Sequence, residues 1–405
     1  MLLTKPLDVR RTSREGRLAE ILRRSAICCR VVRIAVVLAA ILVLGARRPV
    51  VAAGPRVVQT EGVRRIRLLP PGEGNPRNSE GDFVRLKDGR ILFVYTHFTG
   101  GGSDHSAAHL AGRFSRDGGK TWTERDVVIL ENEAKMNVMS VSLLRLDDGR
   151  IALFYLRKNS LDDCRPYVRF SDNETQSWSK PRLCIEPVGY YVVNNDRVVQ
   201  LRSGRLIIPT SRHNLTGGTW TGRGVSLCYY SDDRGRTWTK SQSELEAPRQ
   251  SRSGLQEPGI VELKDGRLMM FCRTDQGSQY LSYSKDAGRT WSNAVPSNII
   301  SPVSPASIER IPSTGDLLLV YNNHDHIDPA RRGKRTPLTV AISKDDGRTW
   351  QHAKNLEDDP HGWYCYTAIL FAGDHVLLGH CAGDRRTGGL SLTQITLVNL
   401  DWLYR

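Results

Sequence analysis

The sequence predicts an all-β fold, a six-bladed β-propeller over residues 56–405, and two interleaved repeats and a pairing of the chain ends predict it. The octapeptide Ser-x-Asp-x-Gly-x-Thr-Trp appears as "SRDGGKTW" (115–122), "SDDRGRTW" (231–238), "SKDAGRTW" (284–291) and "SKDDGRTW" (343–350), with a worn copy "SDNETQSW" at 171–178. The boxes start at 115, 171, 231, 284 and 343, a period of 53–60 residues, which belongs to a repeat architecture.

The second repeat supplies the strands. "LKDGRILFVY" (86–95), "LDDGRIALFY" (146–155), "LRSGRLIIPT" (201–210), "LKDGRLMMFC" (263–272), "STGDLLLVYN" (313–322) and "FAGDHVLLGH" (371–380) each join a Gly-containing turn to an apolar, β-branched run. That is a hairpin signal. Six copies of strand, turn, strand and boxed hairpin make six four-stranded sheets, and a closed ring leaves few exposed edges. In each box the Asp accepts from backbone N–H groups of its own turn, Gly takes the positive-φ position, and Trp buries its ring between neighbouring sheets. The box is therefore a hairpin staple. Closure falls to "LSLTQITLVNL" (390–400) beside "VVQTEGVRRIRLL" (57–69).

Residues 1–53 read as a leader: an Arg-rich start, the apolar run "IAVVLAAILVLGA" (34–46) and small residues ending at Ala53. The run is short for a bilayer span, so the expectation is an export signal, with the protein secreted or periplasmic. The formal charge of +15 is largely local to this leader, which carries 11 Lys/Arg against 3 Asp/Glu, and the remainder is mildly basic at +7. No Lys/Arg tract with interleaved aromatics follows, which argues against nucleic acid as partner. A membrane enters only through an uncleaved leader. Cys164, Cys184, Cys228, Cys272, Cys365 and Cys381 match no metal-ligand spacing, and Cys164–Cys184 is the one nominated disulfide.

The octapeptide is identified as the Asp box, or bacterial neuraminidase repeat, and six blades carrying it resemble the sialidase superfamily. The resemblance implies a carboxylate-gripping arginine triad, a Tyr nucleophile paired with a Glu, an Asp acid/base and no cofactor. "QEPGIVELKDGRLMMFCR" (256–273) carries the roles to Glu257 and Arg273, and Arg335 stands before the "LTV" strand that runs into the last box. In "GWYCYTAILFAGDHVLLGHC" (362–381), Tyr364 occupies the nucleophile position, with Tyr366 the alternative if the register slips. Asp104, in "GGGSDHSAAHLAGRF", stands where the acid/base is expected, with His105 and His109 near it.

Such a set has its own chemical logic. Guanidinium forks suit a planar carboxylate, and a neutral Tyr nucleophile avoids the repulsion a carboxylate would meet beside an anionic sugar. A neighbouring Glu takes the phenolic proton that a group of pKa about 10 would otherwise retain.

The family's Arg-Ile-Pro segment is replaced by "NPRNSEGDFVRLKDG" (75–89). There Ser79 takes the strict position, Arg77 fits with a two-residue shift, and Glu80 and Asp82 have the option of facing the pocket. His380 stands where a Glu would hold the first arginine. Asn195, Arg197, Arg212 and His213, in polar stretches that interrupt strand patterns, are the candidates for sugar recognition. "NNHDHID" (322–328) has no companion metal ligands in the sequence.

The expected function is an exo-α-sialidase-like hydrolase acting on glycans with a terminal acidic sugar. The alternatives are a related propeller glycosidase acting on another glycan, with water as nucleophile, and a non-catalytic glycan-binding propeller.

Overall fold

The computed structural model describes residues 56–215, 218 and 220–405, and the predicted leader, residues 1–53, lies outside them. Within the described residues the chain is an all-β propeller whose helical content is one 3-10 turn, Pro329–Arg331, and one terminal turn, Leu400–Tyr404.

Three sheets are four-stranded antiparallel meanders, beginning with the strands Arg77–Arg85, Gln256–Glu262 and Ser307–Arg310. A fourth, of five strands, pairs Thr393–Asn399 with Val63–Leu69 and so closes the ring as expected. The predicted N-terminal strand is in fact a hairpin. Gly62, at φ 70°, turns Arg56–Thr60 back onto Val63–Leu69.

The sheet count departs from six. Strands between Asn137 and Lys240 form one nine-stranded sheet, giving five hydrogen-bonded sheets among the described residues. The physical cause is one parallel residue pair, Tyr190↔Cys164, which joins Gly189–Val192 to Cys164–Ser171.

Around the axis Arg77–Arg85 lies beside Asn137–Arg145 and Gly362–Ala372, Ser307–Arg310 lies beside Gln256–Glu262 and Gly362–Ala372, and Gln256–Glu262 meets Leu206–Leu215. Their neighbours fill the space between sheets with apolar clusters, such as Phe83, Phe93, Trp122, Leu377 and Ile395. Outer strands such as Val127–Leu130 are exposed or half-exposed, and short, polar-flanked edges of this kind resist pairing with other chains.

The boxes act as staples. In the last one Asp345 accepts from the N–H of Thr349 at 2.9 Å, the hydroxyl of Thr349 at 2.7 Å and the hydroxyl of Ser343 at 2.8 Å. Gly347, at φ 84°, donates its N–H to Ser343 Oγ at 2.7 Å. In the worn copy Asn173 and Ser177 reproduce the pattern with a neutral acceptor. Charge-assisted bonds are the stronger kind. Asp345→Ala is therefore expected to lower the melting temperature by roughly 1–3 °C and Asn173→Asp to raise it, as calorimetry would measure.

The nominated Cys164–Cys184 bridge is not formed. All six described cysteines are free and buried. Cys184 turns its sulfur toward the carbonyl of Arg182 at 3.9 Å, and burial pushes the Cys164 thiol up to about 11.

Candidate active site

One local device builds the site. In four first strands a single extra residue breaks the ladder, between Ser79 and Asp82, Met139 and Ser142, Gln256 and Gly259, and Cys365 and Ala368. In each bulge a non-glycine residue takes positive φ: Glu80 at 56°, Ser140 at 59°, Glu257 at 46° and Tyr366 at 58°. Bulges re-aim side chains, and positive φ in non-glycine residues is strained backbone typical of functional sites. All four residues line one cavity of about 330 Å³.

One wall of this cavity couples a phenol to a carboxylate. Tyr366 donates its hydroxyl to Glu257 Oε1 at 3.3 Å, and Arg273 Nη1 lies 2.7 Å from the same oxygen. Glu257 Oε2 is buried without a partner. Burial alone would raise the Glu257 carboxyl, but the Arg273 and Arg335 guanidinium groups outweigh it and hold the group below the usual carboxylate range. Burial, and then Glu257, push the Tyr366 phenol above its ordinary value. Arg335 packs over the rings of Trp363 and Tyr366 at 5.1 and 5.2 Å, and its Nη1 is a buried donor without a partner.

The opposite wall carries more charge. Arg77 donates to Glu80 at 2.9 Å and to Asp104 at 2.5 Å, and Glu80 also accepts from Ser140 Oγ at 2.7 Å. Asp104 is raised by partial burial but lowered more by Arg77, so it lies below its ordinary value. Lys158 donates to the Asp104 carbonyl at 2.7 Å.

The structure brings Glu257, Arg273, Arg335, Asp104 and His213 to the cavity wall. His213 holds the carbonyl of Thr221 through Nδ1 at 2.9 Å, and burial lowers its pKa. Tyr364 is not among the lining residues. It is buried in the cluster formed with Leu318, Val340 and Leu378, because the bulge one residue later turns Tyr366 inward instead. Arg77 is 2% exposed and lies behind Glu80.

The polar candidates divide similarly. Asn195 donates to backbone carbonyls, Arg197 to the carbonyl of Ala306 at 2.7 Å, and Arg212 pairs with Glu244 at 2.5 Å, none of them on the cavity wall. His105 is exposed, His109 stacks on His97, and His380 bonds Thr396 at 2.9 Å; none lines the cavity. Lys158, Ser140, Trp220 and Trp363 line it without having been nominated. Trp363 is the immediate chain neighbour of the candidate Tyr364 in "GWYCYT" (362–367). No spacing pattern marks Lys158.

A family model described as BNR repeat-like domain matches residues 98–379. An all-β propeller with this set of side chains is of the sialidase/BNR class, and the chain belongs to the BNR repeat-like family of that superfamily. It is 24% identical to an anhydrosialidase from Macrobdella decora, over 75% of this chain and 42% of that protein. It is 25% identical to a sialidase from Micromonospora viridifaciens, over 73% of this chain and 49% of that protein. The chain thus spans less than half the length of these two relatives. Among solved structures, a protein of unknown function from Dyadobacter fermentans superposes with a TM-score of 0.67 at 19% identity, covering 84% of this chain and all of that one. The NanB sialidase of Streptococcus pneumoniae superposes with a TM-score of 0.64 at 16% identity, covering 82% and 70%. At these identities the superpositions bear on the fold.

Proposed function

We propose that this propeller is an exported glycoside hydrolase that releases a terminal sialic acid from glycans, with Tyr366 as nucleophile. The observation that carries the reading is the Tyr366–Glu257–Arg273 chain beside an Arg335 donor that has no protein partner. Glu257 accepts the phenolic proton as Tyr366 Oη attacks the anomeric carbon, and the glycosidic bond breaks through an oxocarbenium-like transition state. For Asp104 to protonate the leaving oxygen, substrate entry must open its ion pair with Arg77 and let the carboxyl take up a proton first. Water then hydrolyses the glycosyl–tyrosine bond with Asp104 acting as base.

Charge supports an anionic substrate. The site's cations are Arg77, Lys158, Arg273 and Arg335, four against the three carboxylates Glu80, Asp104 and Glu257. One positive charge remains, which suits one substrate carboxylate. Names of distant relatives point the same way.

The nine-stranded sheet is taken as two blades, Asn137–Leu183 and 189–240, which gives a ring of six. The leader would direct export, which N-terminal sequencing of the mature protein tests.

Release of 4-methylumbelliferone from its α-sialoside is the direct test. Turnover is expected, and Arg335→Gln should raise KM roughly 10- to 100-fold by removing a charged hydrogen-bond donor. One observation favours a second reading, a hydrolase of another acidic glycan. Arg77 is taken up by Glu80 and Asp104, and Arg273 is paired with Glu257, so Arg335 Nη1 is the buried terminal guanidinium nitrogen of the three left without a partner. Turnover of a uronic-acid glycoside and none of the sialoside would select it.

A further inference from the structure

The bulge at Tyr366 is held from outside its own sheet. Asn195 Nδ2 donates to the carbonyl of Tyr366 at 3.0 Å and to that of Gly81, next to Glu80, at 2.8 Å. One buried amide nitrogen thus ties together the two bulges that aim Tyr366 and Glu80, and it comes from a third part of the ring. Its Oδ1 has no partner, so donation is all that the amide does there. Asn195 is 1% exposed, and it does not line the cavity.

The same strand is gripped at three further places. Asn322 Nδ2 donates to the carbonyl of Tyr364 at 3.2 Å and to that of Pro337, two residues past Arg335, at 2.9 Å. Ser307 Oγ donates to the carbonyl of Thr367 at 2.6 Å, and Asp196 accepts from the N–H of Ile369 at 3.0 Å. Across the bulge, residues 366 and 367 face the single residue His380, as the register steps from Cys365↔Cys381 to Ala368↔Gly379, so the regular ladder does not by itself fix both. A positive φ at a tyrosine is strained backbone and persists only where the surroundings over-determine it. These side chains supply that constraint.

We infer that Asn195 is a positioning residue: its amide nitrogen, donating to both carbonyls, sets Tyr366 against Glu257 and fixes that pair relative to the Glu80 wall. The inference rests on the reading of Tyr366 as nucleophile, and it assigns Asn195 no contact with substrate. Asn322 does the equivalent for Arg335 and the start of the same strand.

The test uses Asn195→Ala and, as a second variant, Asn195→Asp, an isostere that can only accept and so faces two carbonyls with no donor. With the aryl sialoside, both are expected to lower kcat about 30- to 100-fold while KM stays within about threefold, since small misplacements of a reacting group cost that much. A purely structural residue would lower the folded fraction and leave kcat per folded molecule unchanged. That outcome overturns the inference. A crystal structure of either soluble variant reads the position without any turnover. Tyr366 Oη beyond hydrogen-bond range of Glu257 supports the role, and an unchanged separation refutes it. If the parent protein itself fails to turn over sialosides, the reaction is wrong, and the crystallographic comparison still decides whether Asn195 places Tyr366.

Discussion

Tyr366→Phe is expected to reduce kcat on the aryl sialoside by about a thousandfold or more, whereas Tyr364→Phe leaves it within about twofold. The contrast follows from placement. The Tyr366 hydroxyl is the one atom of its ring within reach of Glu257, at 3.3 Å, and it faces the cavity. Tyr364 lies among Leu318, Val340 and Leu378, with its ring edge-on to His380 at 6.4 Å. Removing the Tyr366 oxygen leaves the arginines and the cavity shape in place, so binding of free sialic acid should persist in the Phe variant. Equal losses in both variants would place the nucleophile elsewhere. Full activity in Tyr366→Phe would favour direct attack by water, with Glu257 or Asp104 as base.

That pair of tyrosines also shows where sequence reasoning stops. The boxes are legible because their bonds are local: Asp345 reaches residues 343 and 349, so a short motif encodes the whole staple. The hairpins are legible because turn and alternation are local too. Glu257, Arg273 and Arg335 come from the resemblance to the sialidase family, which matches whole segments around the strands Gln256–Glu262, Leu268–Arg273 and Leu338–Ser343. The inward turn of Tyr366 rather than Tyr364 depends on one inserted residue at φ 58°, which no hydrophobic period records. Asn195 stood out as a polar interruption, and a contact with sugar was the natural expectation. Its partners are backbone carbonyls 114 and 171 residues away, and no local pattern carries such a contact. Arg77 illustrates the same limit, since the bulge that brings Glu80 forward leaves the arginine behind it. The count of sheets fails for another reason: one parallel residue pair merges two of them.

Replacing Asp196 by Asn is expected to stabilise the propeller at pH 7–8 and to change little near pH 4. Asp82, Asp196 and Glu309 converge on the axis at a second cavity, of about 530 Å³, with Arg197 as the buried cation beside them. Burial raises all three carboxyl groups, Asp196 to about 7 from 3.8, and repulsion by Asp196 adds to the rise in Asp82 and Glu309. Between about pH 4 and 7 the folded chain therefore holds protons that the unfolded chain has released. Stability must fall as pH rises through that window, and below pH 4 these groups contribute no further change. The box aspartates run the other way. Asp233 and Asp345 are lowered to about 2, so their contribution is present above pH 4 and is lost as pH falls toward 2. Together they place the stability maximum on the acid side of neutrality. Asn at 196 retains an acceptor for the N–H of Ile369 and cannot ionise, so it relieves the repulsion without breaking that bond. The gain at pH 7 should be about 2–4 kcal/mol, from roughly 1.4 kcal/mol per pKa unit. Calorimetric melting temperatures from pH 4 to 8 would show the variant's profile flatter than the parent's and higher at the neutral end. Parallel profiles would mean that the three carboxyl groups do not share their protons in the folded ring.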